Sequence, residues 1–314
     1  MSIVIAEFMD AAGIDRLRAR HAVHYDPALV QDRAALFAAL AQARGLIVRN
    51  QTRVDAELLA AAPRLSVVGR LGVGLDNIDL ERCRARGIAV CSAPGANARS
   101  VAEYVIAAAL ILLRGSFGAS AAVANGDWPR AALAGGHEAA GKVLGLIGCG
   151  NIGRLTGELA TALGFLVWGH DPSPPPAGPI LAVGLDTLLA GADVVSLHVP
   201  LSPATRHLLD AGALARMKPG AVLINTARGG LIDEVALAAA LRSGRLAGAA
   251  LDCFAEEPLP ADSPLAGIPN LWLTPHIAGL TAQSNVRVAE CVAGCLLAHF
   301  GALPGDHRMR RPGA

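Results

Sequence analysis

The stretch from Lys142 to Asp171 reads KVLGLIGCGNIGRLTGELATALGFLVWGHD, and it decides the fold of this chain. Its first apolar run, Val143 to Ile147, predicts a buried parallel strand that leads straight into the glycine-rich turn GCGNIG. A helical pattern follows, and a second apolar run ends at Asp171. Four apolar residues of that helix are spaced to face one side: Ile152, Leu155, Leu159 and Leu163. The order of strand, glycine turn, helix and strand predicts a βαβ unit.

The glycine turn has the spacing of a dinucleotide-binding turn. Gly148 permits the tight turn, Gly150 lets backbone approach a pyrophosphate, and Gly153 lets the helix pack on the strand. The helix N-terminus adds free N–H groups and the positive end of the helix dipole. A βαβ unit without a ligand is the alternative, since 35 glycines produce such spacings by chance. The strand before, the helix after and the acid at Asp171 together favour a dinucleotide site.

Asp171 also bears on which dinucleotide is bound. A carboxylate at the end of the second strand accepts hydrogen bonds from ribose hydroxyls and repels a 2′-phosphate. The next residues, Pro172, Ser173 and Pro174, offer no arginine that could hold such a phosphate. The sequence therefore favours NAD over NADP.

Composition limits the other function classes. With 27 basic and 26 acidic residues, the 314-residue chain has no charge excess that would attract nucleic acid or an anionic membrane. The longest strongly apolar run, Val105 to Leu113, is too short for a membrane span, and the N-terminus has no basic leader. The six scattered cysteines lack metal-ligand spacing, so we expect no metal site and reduced thiols in a cytoplasmic protein.

Residues 1–97 alternate between strand and helix patterns and predict a second doubly wound unit that lacks the dinucleotide fingerprint. Two of its turns follow strand ends, where α/β proteins place ligand groups. One is Arg49–Thr52, and the other runs from Arg70 through Val73 and Gly74. The glycines of the second turn leave N–H groups open to an anion, although an ordinary tight turn explains them equally well.

Three strand ends in the second half carry an arginine, a glutamate and a histidine. Arg228 follows one strand, the acids Glu256 and Glu257 follow the next, and His276 follows the last. Each alone is more often a packed or surface residue. Together, downstream of a dinucleotide turn, they suit hydride transfer to a 2-keto acid, because a histidine can supply the proton and a guanidinium can hold a carboxylate. A neighbouring carboxylate would orient the imidazole.

The chain resembles the D-isomer-specific 2-hydroxyacid dehydrogenase family from end to end. The resemblance rests on motifs that occur in the family's order: Val48-Arg49, Gly69–Asp79, Asn97–Tyr104 (NARSVAEY), the GCGNIG turn, His198–Leu201, Asn225–Asp233 (NTARGGLID), Leu251–Pro258 and Thr274–Gly279. It implies a Rossmann NAD-binding domain, residues 98–280, inserted into a flavodoxin-like substrate domain of residues 1–97 and 281–314. It also implies a homodimer joined largely through the cofactor domains.

The resemblance implies specific residue roles. Arg228, Glu257 and His276 would be the catalytic set, with Glu257 chosen over Glu256 for its spacing from Asp252. The substrate would be held by Arg49, Arg70, Val73, Gly74, Arg228 and His276. The cofactor would contact Gly148, Gly150, Asn151, Ile152, Gly153, Asp171, His198, Val199, Pro200, Thr205, Thr226, Ala227, Arg228, Asp252 and His276.

The expected activity is reversible hydride transfer between NAD(H) and a small anionic 2-hydroxy acid. The turns at Arg49 and Arg70 look most like the phosphoglycerate dehydrogenase branch, and their arginines would suit a second anionic group, as in 3-phosphoglycerate or (S)-sulfolactate. Two alternatives stay open. One is an NADP-dependent glyoxylate or hydroxypyruvate reductase, and the other is a non-catalytic NAD(H)-sensing protein.

Overall fold

The computed structural model describes residues 2–173 and 178–301, and the chain divides into two compact units. Unit 1 consists of Met1–Asn97 and Leu280–Ala314, and unit 2 consists of Ala98–Gly279. Residues 302–314 of the expected C-terminal segment lie outside the described residues.

Unit 1 is a five-stranded parallel sheet with helices on both faces. Its strands are β1 (Ser2–Ile5), β2 (Ala22–Tyr25), β3 (Gly45–Val48), β4 (Val67–Arg70) and β5 (Ala89–Cys91). Its helices are α1 (Ala11–Arg18), α2 (Arg33–Leu40), α3 (Ala56–Ala61), α4 (Leu80–Ala85) and the C-terminal helix, Ala282–Gly301. The strand order β2-β1-β3-β4-β5 is that of flavodoxin-like folds. One face of the sheet packs against α1 and the C-terminal helix.

Unit 2 is a seven-stranded parallel sheet. It begins with the helices α5 (Ala98–Arg114) and α6 (Ser120–Ala124). The remaining elements are β6 (Val143–Ile147), α7 (Asn151–Ala162), β7 (Leu166–His170), β8 (Ile180–Ala182), α8 (Leu185–Gly191), β9 (Val194–Leu197), α9 (Ala211–Arg216), β10 (Val222–Asn225), α10 (Glu234–Arg242), β11 (Gly248–Leu251) and β12 (Leu271–Leu273). The strand order β12-β11-β10-β9-β6-β7-β8 extends the Rossmann order by one strand and confirms the predicted fold class.

Aspartates start many of the helices. In each case a carboxylate oxygen accepts a hydrogen bond from a backbone N–H of the first helical turn, which satisfies a donor that has no partner within the helix. The aspartates that do so at the starts of α1, α2, α3, α4, α9 and α10 are Asp10, Asp32, Asp55, Asp79, Asp210 and Asp233. These caps stabilise the starts of the helices.

Helix α7 buries a face of small residues. Its buried residues are small, namely Gly153, Thr156, Gly157 and Ala160, whereas Leu163 is 43% exposed. The small residues let α7 lie close to the sheet, because a Cβ on Gly157 would touch Ile180 of β8 at 3.0 Å. The apolar residues predicted to share one side of the helix, Ile152, Leu155 and Leu159, are partly buried, and Leu163 lies just beyond the helix end.

Two segments differ from the sequence-based elements. The apolar sequence from Asn97 to Phe117 predicts one long helix, but the helix ends at Arg114, and the next residue, Gly115, has a positive φ of 63°. Strand β8 and helix α8 are not predicted by the sequence pattern, because β8 has only three residues and follows a proline-rich link.

Among the described residues, no single helix has the length and apolar composition of a membrane span. Helix α5 and residues 117–124 together have that length and composition, but they are bent by 74° relative to each other.

The prediction of reduced cysteines is wrong for two of the six. Cys91, at the end of β5, forms a disulfide with Cys295 of the C-terminal helix, 204 residues further along the chain. Their pairing is a consequence of helix packing against the sheet, which no local pattern reveals. Cys83, Cys149 and Cys253 are buried free thiols, as expected, and Cys291 is an exposed one. Burial raises the pKa of the Cys149 thiol to about 11.

Candidate active site

The glycine turn after β6 is shaped by close packing at two of its three glycines. Gly148 has a φ of 100°, and a Cβ there would lie 2.7 Å from the carbonyl group of His198. A Cβ on Gly153 would overlap the carbonyl oxygen of Gly148. A Cβ on Gly150, by contrast, would meet nothing within 4 Å. Two glycines thus close the turn, and the third leaves open space beside the start of α7.

That open space suits the pyrophosphate of a dinucleotide. Gly150 is the N-cap of α7 and has no side chain to bond the first N–H groups of the helix, which include those of Asn151 and Ile152. Uncapped N–H groups at a helix start bind anionic oxygens. The residues present therefore fit the dinucleotide that the sequence predicts.

Asp171, at the end of β7, fits the ribose of the same cofactor. Its Oδ2 accepts a hydrogen bond from the Cys149 N–H at 2.7 Å, and its Oδ1 accepts one from the Ser173 N–H at 2.9 Å. A carboxylate can accept about four hydrogen bonds, so about two positions remain for ribose hydroxyls. The carboxylate also fixes the glycine turn through Cys149.

His198 lies directly after β9, and its backbone packs against Gly148 of the glycine turn. Its Nε2 is 3.0 Å from the hydroxyl oxygen of Ser196, and burial lowers the pKa of His198 to about 4. The imidazole is therefore neutral near pH 7. The loop that follows, including Val199, is fixed by Thr205, whose hydroxyl donates to the Pro200 carbonyl at 2.7 Å and accepts from the Ser202 N–H at 2.8 Å.

The low pKa of His198 predicts a pH-dependent stability. Unfolded protein binds a proton at this group below about pH 6.5, whereas the folded protein does not until about pH 4. The free energy of unfolding should therefore fall by up to about 3 kcal/mol as the pH is lowered through this window. His198→Gln, which does not titrate, should remove that part of the pH dependence. Denaturant unfolding of both proteins at pH 7 and 4.5 measures it, and equal losses in both would contradict the assignment.

His276 and Glu257 form a hydrogen-bonded pair. His276 Nδ1 lies 2.8 Å from Glu257 Oε2 and 3.1 Å from Oε1. Because an ionised carboxylate only accepts, Nδ1 carries the hydrogen and Nε2 is the free ring nitrogen. Burial alone would raise the pKa of Glu257, but the hydrogen bond and charge of His276 outweigh it, and the pKa is lowered. The pair is therefore an imidazole held by an ionised carboxylate.

The backbone of His276 adopts an unusual conformation, with a φ of 56°. Asp252, at the end of β11, holds this turn: its carboxylate accepts from the N–H groups of Ile277 at 2.8 Å and Ala278 at 2.7 Å. It also accepts from the Thr274 hydroxyl at 2.6 Å, and that hydroxyl is 2.6 Å from the Tyr104 hydroxyl. Asp252 is buried, and these hydrogen bonds satisfy its carboxylate in place of water. The same bonds hold the turn that carries His276.

Sequence reasoning assigned no role to Thr274 or Tyr104. Thr274 appeared only as part of a motif, and Tyr104 lies on α5, 170 residues away in the chain. No sequence pattern predicts a hydrogen bond between side chains so far apart in the chain.

Arg228 follows β10 on a turn organised by the buried Asn225. The side-chain amide of Asn225 donates to the Arg228 carbonyl at 2.8 Å, and its oxygen accepts from the Ala227 N–H at 3.0 Å. The positive charge of Arg228 also contributes to the lowered pKa of Glu257.

Thr226 has a buried hydroxyl oxygen with no hydrogen-bond partner within the described residues. A buried hydroxyl without a protein partner can form a hydrogen bond with a bound ligand.

Four of the expected substrate residues, Arg49, Arg70, Val73 and Gly74, belong to unit 1, and they differ in how they are held. Arg49 Nη2 donates to the Asn285 side-chain oxygen at 2.7 Å. The Arg70 guanidinium folds back over its own turn, where it occupies the space that a Cβ on Gly72 would need. Val73 is exposed and Gly74 is partly exposed. Within the described residues, no group of three or more histidine, cysteine or acidic side chains could hold a metal ion.

Comparison with known proteins identifies the family. Residues 106–278 match the family profile "D-isomer specific 2-hydroxyacid dehydrogenase, NAD binding domain". The chain is 53% identical over 292 residues to the (S)-sulfolactate dehydrogenase of Chromohalobacter salexigens, covering 91% of this chain and 94% of that protein. It is 44% identical to the D-3-phosphoglycerate dehydrogenase of Mycobacterium leprae, covering 86% of this chain but only 52% of that longer protein.

A solved structure agrees over the full length. The NAD-dependent formate dehydrogenase of Staphylococcus aureus, in complex with NAD, superposes with a TM-score of 0.85 and 28% sequence identity, and the match covers 100% of both chains. The predictions of family, fold class, enzyme class and NAD as cofactor are confirmed. The chain belongs to the D-isomer-specific 2-hydroxyacid dehydrogenase family and is an NAD-dependent oxidoreductase.

Proposed function

We propose that this enzyme oxidises (S)-sulfolactate, a three-carbon 2-hydroxy acid with a sulfonate as its second anionic group, to the corresponding 2-keto acid. The observation that carries the chemistry is the 2.8 Å hydrogen bond between His276 Nδ1 and Glu257 Oε2. The choice of substrate is supported by the 53% identity over nearly the whole of a sulfolactate dehydrogenase.

In this proposal His276 moves the proton. In the oxidative direction its free Nε2 takes the proton of the substrate hydroxyl, and in reduction it returns that proton to the carbonyl oxygen. Glu257 keeps the imidazole oriented through the hydrogen bond to Nδ1. Arg228 holds the substrate carboxylate or the carbonyl oxygen, for which the planar guanidinium supplies paired donors.

NAD, when bound, accepts or supplies the hydride. We propose that the α7 N-terminus at Asn151 and Ile152 holds its pyrophosphate and Asp171 its adenosine ribose. His198, Val199, Pro200 and Thr205 would line the adenine side, and Thr226, Ala227 and Asp252 would lie around the nicotinamide carboxamide. The carboxylate of Asp171 leaves no favourable place for the 2′-phosphate of NADP.

Unit 1 would be the substrate domain and unit 2 the cofactor domain. The NAD-binding family profile falls within unit 2, which supports this division. Arg49 and Arg70 would hold the second anionic group of the substrate. The backbone at Val73 and Gly74 would bind its carboxylate through N–H groups.

A substrate panel tests the proposed function. Formation of NADH would be followed with (S)-sulfolactate, 3-phosphoglycerate, D-lactate and D-glycerate, and oxidation of NADH or NADPH with glyoxylate and hydroxypyruvate. We expect kcat/KM to be highest for (S)-sulfolactate with NAD. A preference for 3-phosphoglycerate would overturn the substrate, and faster turnover of glyoxylate with NADPH would indicate a reductase. Binding of NADH without any turnover would indicate a sensing protein.

We also propose that the enzyme is a homodimer joined through unit 2. Three large apolar side chains of the segment 117–128 are exposed: Phe117, Val123 and Trp128, the last at 77%. If these side chains form one patch, that patch would serve as an interaction surface. Sedimentation equilibrium should give twice the chain mass, and Trp128→Ser should raise the dimer dissociation constant. A monomer at micromolar concentration would contradict the proposal.

A cytoplasmic location is proposed because NAD turnover depends on other dehydrogenases that recycle the cofactor. The Cys91–Cys295 disulfide argues against it, since cytoplasmic thiols are kept reduced. Alkylation of thiols in acid-quenched cells distinguishes a cytoplasmic location from an oxidising compartment. Full labelling of Cys91 and Cys295 would favour the cytoplasm, and protection of both would favour an oxidising compartment.

A further inference from the structure

Glu7 is a buried carboxylate that no motif singles out. It lies two residues after β1 and is 5% exposed. Its two oxygens accept hydrogen bonds from four consecutive backbone N–H groups of the turn after β3. Oε1 accepts from Arg49 at 2.8 Å and from Thr52 at 3.0 Å, and Oε2 accepts from Asn50 at 3.3 Å and from Gln51 at 3.2 Å.

Four successive N–H groups that converge on one point form an anion-binding nest. A buried carboxylate is costly unless hydrogen bonds replace its water, and here the backbone supplies four of them. Asn77 completes the arrangement from the carbonyl side, because its amide donates to the carbonyls of Arg49 at 3.3 Å and Thr52 at 2.8 Å. The conformation of the turn is therefore set from both sides by side chains that lie outside it.

The nest is filled by Glu7, so these N–H groups are not available to a ligand. What the turn can offer a substrate is the side chain of Arg49. That side chain is held by Asn285 at 2.7 Å, by the Phe8 carbonyl at 3.4 Å and by the Phe8 ring, whose centroid is 5.7 Å from the guanidinium carbon. Within the described residues, no ion pair joins Arg49 to a carboxylate. Its charge is not neutralised in a salt bridge, although the nearby negative charge of Glu7 partly offsets the lowering of the Arg49 pKa by burial.

We propose that Glu7 is a positioning residue, which fixes the Arg49–Thr52 turn so that Arg49 can hold the second anionic group of the substrate. The inference rests on the proposed function of Arg49. It adds that the buried carboxylate acts through the turn and does not touch the substrate itself.

Glu7→Gln is the first test, because it keeps the size of the side chain and removes its charge. The amide oxygen can accept from only part of the nest, and the amide nitrogen faces N–H groups that it cannot accept from. We expect KM for (S)-sulfolactate to rise about tenfold, with kcat and KM for NAD changed less than about twofold. KM for D-lactate, which lacks the second anion, should change little. For Glu7→Asp, which keeps the carboxylate, KM for (S)-sulfolactate should lie between those of the wild type and Glu7→Gln.

Asp32→Asn is the matched control, since it makes the same charge change at an aspartate of unit 1 that caps α2. It should leave every KM unchanged. If Glu7→Gln lowered the melting temperature and left KM for (S)-sulfolactate unchanged, Glu7 would be only structural and the inference would be overturned. Should Glu7→Gln fail to fold, Glu7→Asp answers the same question.

Arg49→Gln separates the inference from the proposed function. A raised KM for (S)-sulfolactate in Arg49→Gln together with an unchanged KM in Glu7→Gln would overturn the inference alone. An unchanged KM in Arg49→Gln would overturn the role of Arg49 and the inference with it. If Glu7 acts through Arg49, the double variant should raise KM no further than Arg49→Gln does, whereas multiplied effects would show independent action.

Discussion

His276→Asn should lower kcat by about 10²–10⁴-fold, because the variant loses the group that exchanges a proton with the substrate oxygen. Asparagine is chosen because it tolerates the left-handed backbone that His276 adopts, with its φ of 56°, better than most residues do. The turn held by Asp252 should therefore survive, and the dissociation constant for NADH should change less than about threefold. Steady-state kinetics and fluorescence titration of NADH measure the two quantities.

His207→Asn is the control for that variant. His207 is the other non-glycine residue with a positive φ among the described residues, and its side chain is exposed. Its replacement should leave kcat unchanged. If His276→Asn retained more than about a tenth of wild-type kcat with the best substrate, the proton would have to come from another group, and the role assigned to the pair with Glu257 would fail.

Gly229→Ala should be the most damaging single methyl addition near the site. A Cβ there would overlap the backbone of Phe254 and Ala255, which belong to the turn that carries Glu257. Backbone cannot move aside as a flexible side chain can, so we expect a loss of more than about 3 kcal/mol in the free energy of unfolding. The same methyl group would push the turns of Arg228 and Glu257 apart, so folded protein should also lose most of its kcat/KM.

Gly135→Ala is the matched control, because a Cβ at that position would meet nothing within 4 Å. Its unfolding midpoint and activity should remain close to wild type. A Gly229→Ala protein with wild-type stability and activity would mean that the turns of Arg228 and Glu257 are not packed as described here.

Those turns illustrate how far the sequence could predict the site. Arg228, Glu257 and His276 all follow strands, and the carboxyl ends of parallel strands share one edge of a sheet, so their proximity could be inferred from the sequence. The three glycines at 148, 150 and 153 were likewise informative, because each had a separate steric or binding role. The fold class followed from the alternation of strands and helices.

What the sequence could not predict depends on contacts between distant segments. The hydrogen bond from Tyr104 to Thr274 and the disulfide from Cys91 to Cys295 join parts of the chain that no local pattern connects. The carboxylate of Glu7 satisfies the turn after β3 from 42 or more residues away. At α7, apolar spacing could not show that the fully buried residues are the small ones, which close packing favours there.

Transfer of deuterium from the C2 position of the substrate tests the central claim most directly. The enzyme would be incubated with NAD and (S)-sulfolactate that carries deuterium at C2, and the reduced cofactor would be analysed by mass spectrometry. The account predicts that the deuterium is found in the reduced nicotinamide, as expected when a hydride moves directly from substrate carbon to cofactor. Deuterium released into water, or no reduced cofactor at all, would contradict it.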